Sequence, residues 1–153
     1  MKAKTIALTF SLVFVSVAMG FQTDLQIGTW KLNEAKSKFA GKARNHTVVY
    51  EAAGDQTKVV VEGVDEKGNA IRNEWTGKFD GKDYPVTGDI NSDARSYEII
   101  DKNTLTITNK KSGKATLTGR IVVSTDGKTR TVTTTATDAQ GKKITNVAVY
   151  DKQ

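Results

Sequence analysis

The stretch IGTWKLN, residues 27–33, decides how the chain is read. It forms a short strand that opens on Gly28 and carries Trp30 at its centre. From there to its end the chain is β-grammar: runs rich in Val, Ile, Thr and Tyr, separated by turn residues. The strands expected are 28–32, 46–52, 58–63, 70–79, 84–87, 96–100, 104–109, 115–124, 129–137 and 143–150. The turns are explicit, among them Gly54-Asp55, Asp80-Gly81, Lys102-Asn103, Ser112-Gly113 and Asp126-Gly127. Glycine and aspartate at these points supply the positive φ values of tight hairpins. Strands joined by hairpins are antiparallel neighbours. Ten of them in an open sheet would leave two unpaired edges, so closure into an up-and-down barrel is the expected solution. The rival is a two-sheet sandwich, which needs longer crossing connections than this chain offers.

Two connections are longer than a turn. Residues 34–45 join the first two strands and have room for one helical turn around 35–39; residues 88–95 are polar and read as a flexible rim loop. The sole proline, Pro85, falls on a strand where a missing N–H does least harm. A weak internal echo runs through the pattern Asp65-x-x-Gly68-x-x-Ile71-x-Asn73, repeated as Asp138-x-x-Gly141-x-x-Ile144-x-Asn146. Two hairpins using the same turn chemistry is the expected reading, with a duplication as the alternative.

The first twenty residues stand apart. Lys2 and Lys4 precede a nearly unbroken apolar run, Ile6 to Met19, and small residues close it at Ala18 and Gly20. That is the grammar of a secretory signal peptide, and the run is shorter than the ~20 apolar residues of a spanning helix. The domain is therefore expected at 21–153, outside the cytoplasm, periplasmic or secreted, with no stable membrane anchor. There is no cysteine, hence no disulfide and no lipidated cysteine. The formal charge of +6 falls to +4 when Lys2 and Lys4 leave. The remaining lysines are scattered through turns, unlike the clustered cations and exposed aromatics of a nucleic-acid protein, so no nucleic-acid partner is expected.

Strand alternation sorts side chains into two faces. In the strand at 70–79, Arg72 and Glu74 face water, which turns Ile71, Asn73 and Trp75 inward. Leu117, Gly119, Ile121 and Val123 share an inner face; Tyr97 and Ile99 share another. In the threonine-rich strand at 129–137, Val132, Thr134 and Ala136 lie opposite Thr131, Thr133, Thr135 and Thr137. The candidate lumen residues are Tyr50, Ile71, Asn73, Trp75, Tyr97, Leu117, Asn146 and Tyr150, with Asn73, Asn146 and Tyr150 as its polar groups.

Chemistry is sparse. The only histidine is His46, and no spacing selects a nucleophile to go with it. There is no nucleophile elbow, no phosphate loop and no metal-ligand cluster, and the acids sit mostly in turns. No catalytic residues, no cofactor and no metal are expected, and the chain reads as a monomeric binding protein rather than an enzyme.

Gly28-Thr29-Trp30-Lys31-Leu32 resembles the opening strand of the calycin barrels, where lipocalins carry Gly-x-Trp and fatty-acid-binding proteins often carry Gly-Thr-Trp-Lys-Leu. The end, NVAVYDKQ, is similar to the closing strand of a fatty-acid-binding protein. With the signal peptide, the resemblance implies a small secreted lipocalin-like domain of the kind found in bacteria. It also implies a structural group of Gly28, Trp30 and Arg130, the arginine packing over the tryptophan at the closed end. Two departures matter. Residues 34–45 are too short for the two-helix lid of the fatty-acid-binding proteins, and Ala148 stands where their carboxylate-binding arginine would be. The function expected is binding of a small neutral apolar molecule in the barrel. The alternative is a ligand-free envelope interaction protein or inhibitor acting through its rim loops.

Overall fold

The computed structural model describes residues 24–138 and 140–153; the signal-peptide reading of residues 1–20 lies outside them. Ten strands close into one antiparallel barrel in sequence order: β1 (Gly28–Leu32), β2 (Arg44–Ala53), β3 (Gln56–Val64), β4 (Ala70–Gly77), β5 (Tyr84–Thr87), β6 (Ala94–Asp101), β7 (Thr104–Lys111), β8 (Lys114–Val123), β9 (Thr129–Thr137) and β10 (Lys143–Lys152). Closure is made where β1 pairs β10, Trp30 opposite Lys152 and Leu32 opposite Tyr150. Among the described residues no strand edge is left over, which is the reason a meander of this length closes at all.

The alternation read from sequence is the alternation of the barrel wall. Along β4, Asn73 and Trp75 are buried while Arg72 is exposed and pairs with Glu62 and Glu74 on the outer face. The repeated Asp-Gly pattern has one cause. Asp65 and Asp138 each accept, through Oδ1, from the backbone N–H groups two and four residues on, and each carbonyl accepts from Gly68 or Gly141. Both glycines have positive φ, +86° and +80°. The same turn is used twice.

Three differences from the sequence reading have local reasons. The helical turn is a single 3-10 turn, Glu34–Lys36, capped by the Asn33 side chain. The chain after it lies against the barrel, with Lys38 bridged to Val147. Residues 88–95 are not a loose rim. Ser92 is buried, Asp93 exchanges backbone bonds with Val86 and Lys110, and β6 begins at Ala94. Ile99 keeps its register opposite buried Leu105 but is 59% exposed, because it lines the open recess at that end of the barrel.

The wall is uneven. β5 has four residues and matches only two residue pairs with β4 and two with β6. The Trp75 indole spans this short strand, its Nε1 donating to the Arg95 carbonyl on β6 at 2.8 Å. The backbone of residues 80 and 81 supplements it, Asp80 bridging Glu98 and Gly81 N donating to the Tyr97 carbonyl. Among the described residues no helix is long and apolar enough to cross a membrane.

Candidate functional site

The interior divides into a packed half and an accessible half. The packed half lies at the end where β1 begins. Trp30, Tyr50, Val59, Trp75, Ile121 and Val123 have essentially no exposed surface there. Aromatic rings meet edge to face, Trp75 with Tyr97 at 4.8 Å and Tyr50 with Tyr97 at 6.2 Å between centroids, an arrangement set by the ring quadrupoles. Trp30 is fixed by its own turn, since its Nε1 donates to the Gln26 carbonyl at 2.8 Å.

Arg130 enters this half from β9, buried at 3% exposure. Its guanidinium stands over three rings, 4.7 Å from Tyr50, 5.4 Å from Tyr150 and 5.7 Å from Trp30. Its Nε and Nη1, and the Tyr50 hydroxyl, are buried with no hydrogen-bond partner. Ring faces are the main compensation for the buried charge. Burial pushes the Tyr50 and Tyr150 phenols up, Tyr150 to about 12, against the pull of Arg130. The Tyr150 hydroxyl donates to the Asn45 carbonyl.

A second interior arginine was not expected. Read from Ser96, the sixth strand leaves Arg95 in the loop; begun at Ala94, it puts Arg95 on the inner face of Tyr97. Extending the alternation back by two residues is the sequence signal that finds it. Arg95 is buried at 4% exposure and its donors are engaged. Nε donates to Asn109 Oδ1 at 2.8 Å, Nη1 to Asn73 Oδ1 at 3.2 Å, and Nη2 lies 3.6 Å from Asp89 Oδ2. Asp89 comes from residues 88–95 and also accepts from the Ser92 hydroxyl. This pair, Arg95 buried and Asp89 half-buried, is what ties the segment down.

The accessible half lies toward the hairpins that join β7 to β8 and β9 to β10. Here inward-facing Leu117, Val132, Thr134, Ala136, Ile144 and Asn146 are only half-buried, like outward-facing Thr131 and Thr135. Their outward neighbours Thr118, Thr133, Thr137 and Thr145 are exposed, so the inner face is the more covered of the two, yet it keeps surface that solvent reaches. The pairs Leu117 with Ala136, Ala136 with Ile144 and Thr134 with Asn146 make it one continuous wall.

Of the candidate lumen residues, Tyr50, Trp75, Tyr97 and Tyr150 come together in the packed half, and Asn73 lies against Arg95. Leu117 and Asn146 sit on the accessible wall, where the Asn146 side-chain Oδ1 accepts from Ala40 N and holds the β1–β2 connection in place. Ile71, half-buried, borders a separate side cleft of about 430 Å³ with His46 and Gly63 at the β2 bulge. His46 is exposed. Among the described residues no three His, Asp or Glu side chains cluster as a metal site. At the packed end, the turn before β1 and the β6–β7 hairpin enclose a recess of about 260 Å³ against Phe79, Leu105 and Gln26. Gln26 precedes the first strand and carries no pattern that would single it out.

No family model matches the chain, and no curated protein matches it. Solved structures similar to it include a redesigned β-barrel, mFAP1, bound to DFHBI, at 14% identity over 84% of this chain and 95% of that one, with a TM-score of 0.47. Another is EF1p2_mFAP2b bound to DFHBI, at 13% identity over 84% and 94%, with a TM-score of 0.48.

Proposed function

We propose that the protein is an exported, monomeric binding module, periplasmic or secreted, that takes one small, neutral and largely apolar molecule into the accessible half of its barrel. The observation that carries this reading is the half-buried inner wall of Leu117, Val132, Ala136 and Ile144 inside a closed barrel whose other half is packed. Apolar surface kept reachable within a closed shell is surface a ligand covers. Thr134 and Asn146 place polar groups on that wall for orientation. Neutrality is a matter of charge. A carboxylate loses its hydration on entry and needs a cation in return. Arg95 is engaged by Asp89, Asn73 and Asn109, and Arg130 lies among the rings of the packed half. No catalytic step is assigned to these residues.

The test pairs a long-chain fatty acid with its methyl ester at neutral pH, with native mass spectrometry of protein from its own source to look for a co-purifying molecule. The ester should bind more tightly, and Ile144→Glu should weaken it. An acid that outbinds its ester means that Arg95 or Arg130 is available to ligand, and the neutral reading fails.

A second reading is favoured by Ile90, which is 82% exposed at the tip of a segment held by the half-buried Asp89 and the buried Ser92. A large apolar side chain presented on an anchored loop suits contact with a protein partner. Ile90→Asp should abolish such a contact and leave ligand binding unchanged.

A further inference from the structure

We infer that the recess at the packed end of the barrel is the seat of the chain's own processed N-terminus: Phe21, as first residue of the mature protein, lays its ring on Ile99 and Phe79 and its α-ammonium among the carboxylates of the rim. The inference rests on the export reading, with cleavage after Gly20.

The floor of the recess is apolar and firm. Ile99 is 59% exposed there although it stands opposite buried Leu105. Phe79 is half-buried and stacks nearly parallel on Trp75, 6.2 Å between centroids at 13°. A group that covers this floor removes apolar surface from water without having to order the floor first. The volume, about 260 Å³, falls below the roughly 300–1,000 Å³ of sites for drug-sized ligands and suits one aromatic side chain.

What covers it follows from where the chain runs. The described residues begin at Asp24, which itself lines the recess. Asp24 is pinned in a turn. Its carbonyl accepts from Ile27 N at 3.0 Å, its Oδ1 accepts from Gln26 N at 2.9 Å, and Lys152 donates to the next carbonyl, that of Leu25. Three residues, Phe21, Gln22 and Thr23, lie between this point and the cleavage site, and Phe21 is the one large apolar residue among them. Fully extended they reach about 10 Å from Asp24. The new terminus is thus tethered beside the recess at an effective concentration on the order of millimolar or above.

Charge fits the same occupant. Two carboxylates, Asp24 and Asp101, stand on the rim against the ammonium of Lys102, with Lys152 behind the turn. Burial raises the pKa of Asp24, while the Gln26 N–H and Lys152 pull it down, so a further cation eases the buried carboxylate. An α-amino group, with an ordinary pKa of about 7.7–8.0, is mostly protonated at neutral pH. A terminal phenylalanine carries ring and cation on one residue. That cation exists only once Phe21 is the first residue, so processing completes the packed end after export.

The experiment records NMR spectra of the exported protein, with intact mass giving its first residue. Nuclear Overhauser contacts are expected from the Phe21 ring to the Ile99 methyls. Phe21→Ala should lower the melting temperature by roughly 3–8 °C and move the Ile99 methyl signals, whereas Gln22→Ala should do neither. Asp101→Asn, at an exposed position, should lower it by about 1–3 °C at low salt, and by less when Phe21→Ala is already present. None of these variants should change ester binding at the accessible wall, so the seat and the ligand reading fail separately. A protein that begins at Phe21 but shows no ring contact to Ile99, or a Phe21→Ala variant with unchanged melting temperature and unchanged Ile99 signals, overturns the seat and leaves export standing. A mass that places the first residue elsewhere overturns the inference at its premise.

Discussion

Replacing Trp30 by alanine tests whether the packed half is what makes this chain a stable barrel. The indole is fully buried, and removing a buried Trp side chain costs about 3–5 kcal/mol through lost transfer energy and the cavity left behind. Here the upper part of that range is expected. The Gln26 carbonyl loses the donor it has at 2.8 Å, and an unsatisfied buried carbonyl costs about 1–3 kcal/mol. Arg130 and Lys152 also lose a ring face, at 5.7 and 5.1 Å. A loss of about 4–5 kcal/mol corresponds to a fall in melting temperature of roughly 10–20 °C for a domain of this size. Trp30→Phe keeps the apolar bulk but not the N–H, and should lose only about 1–2 kcal/mol. Urea unfolding followed by far-ultraviolet circular dichroism measures both, with the slope checking that the denatured state is unchanged. If Trp30→Ala costs less than about 2 kcal/mol at an unchanged slope, the indole does not anchor the packed half and the burial argument fails.

Three further outcomes are expected. The exported form should have the intact mass for cleavage after Gly20, or failing that after Ala18; a secreted protein that retains Lys2 would refute the signal-peptide reading. Gly63→Ala should destabilise by about 2 kcal/mol or more, because its Cβ would collide with the Arg44 carbonyl and lie 2.8 Å from Asn45 Cα across the β2 bulge. Gly54→Ala, with nothing within 4 Å and φ at +65°, should lose only about 1 kcal/mol for its left-handed backbone; equal losses in urea unfolding would show that crowding at the bulge is not what requires glycine. For Tyr150, a phenol raised from 10.0 to about 12 in the fold favours the folded state fully below pH 10, and that contribution is lost as pH rises from 10 to 12. Tyr150→Phe should remove about 2–3 kcal/mol of alkaline sensitivity over that interval, read from stability curves at stepped pH; an unchanged alkaline slope would place the phenol in water.

The ten strands were legible because each carries its own period-two pattern and is closed by a turn residue with a mechanism. Their ends were less so. β2, β3 and β10 run one or two residues past their expected limits because the partner strand continues the ladder there. The inward set around Trp75 and Leu117 came from alternation alone. Arg95 did not, because Asp89, its counter-charge, lies in a segment that reads as polar loop, and only the folded chain shows that the two neutralise one another. Gln26 was equally silent. A turn before the first strand has no periodicity, and its role comes from the indole it receives. The division of the interior is a matter of side-chain size summed around ten strands, which no single strand reports.

A closed ring of strands has no end from which to unravel, so it opens at whichever seam is held least. In this barrel that seam is β5, with two residue pairs on each side and a proline that brings no N–H. The Trp75 indole, reaching over β5 to the Arg95 carbonyl, acts as a clasp on the ring. The molecule thereby acquires a hinge side and a latch side. The long β9–β10 ladder and the β2–β3 ladder flank β1 on the far side of the ring, while the latch opens without disturbing either. Amide exchange should run fastest at 84–87 and slow progressively in both directions around the ring, and a substitution at Trp75 should loosen one gate of the barrel long before it loosens the whole.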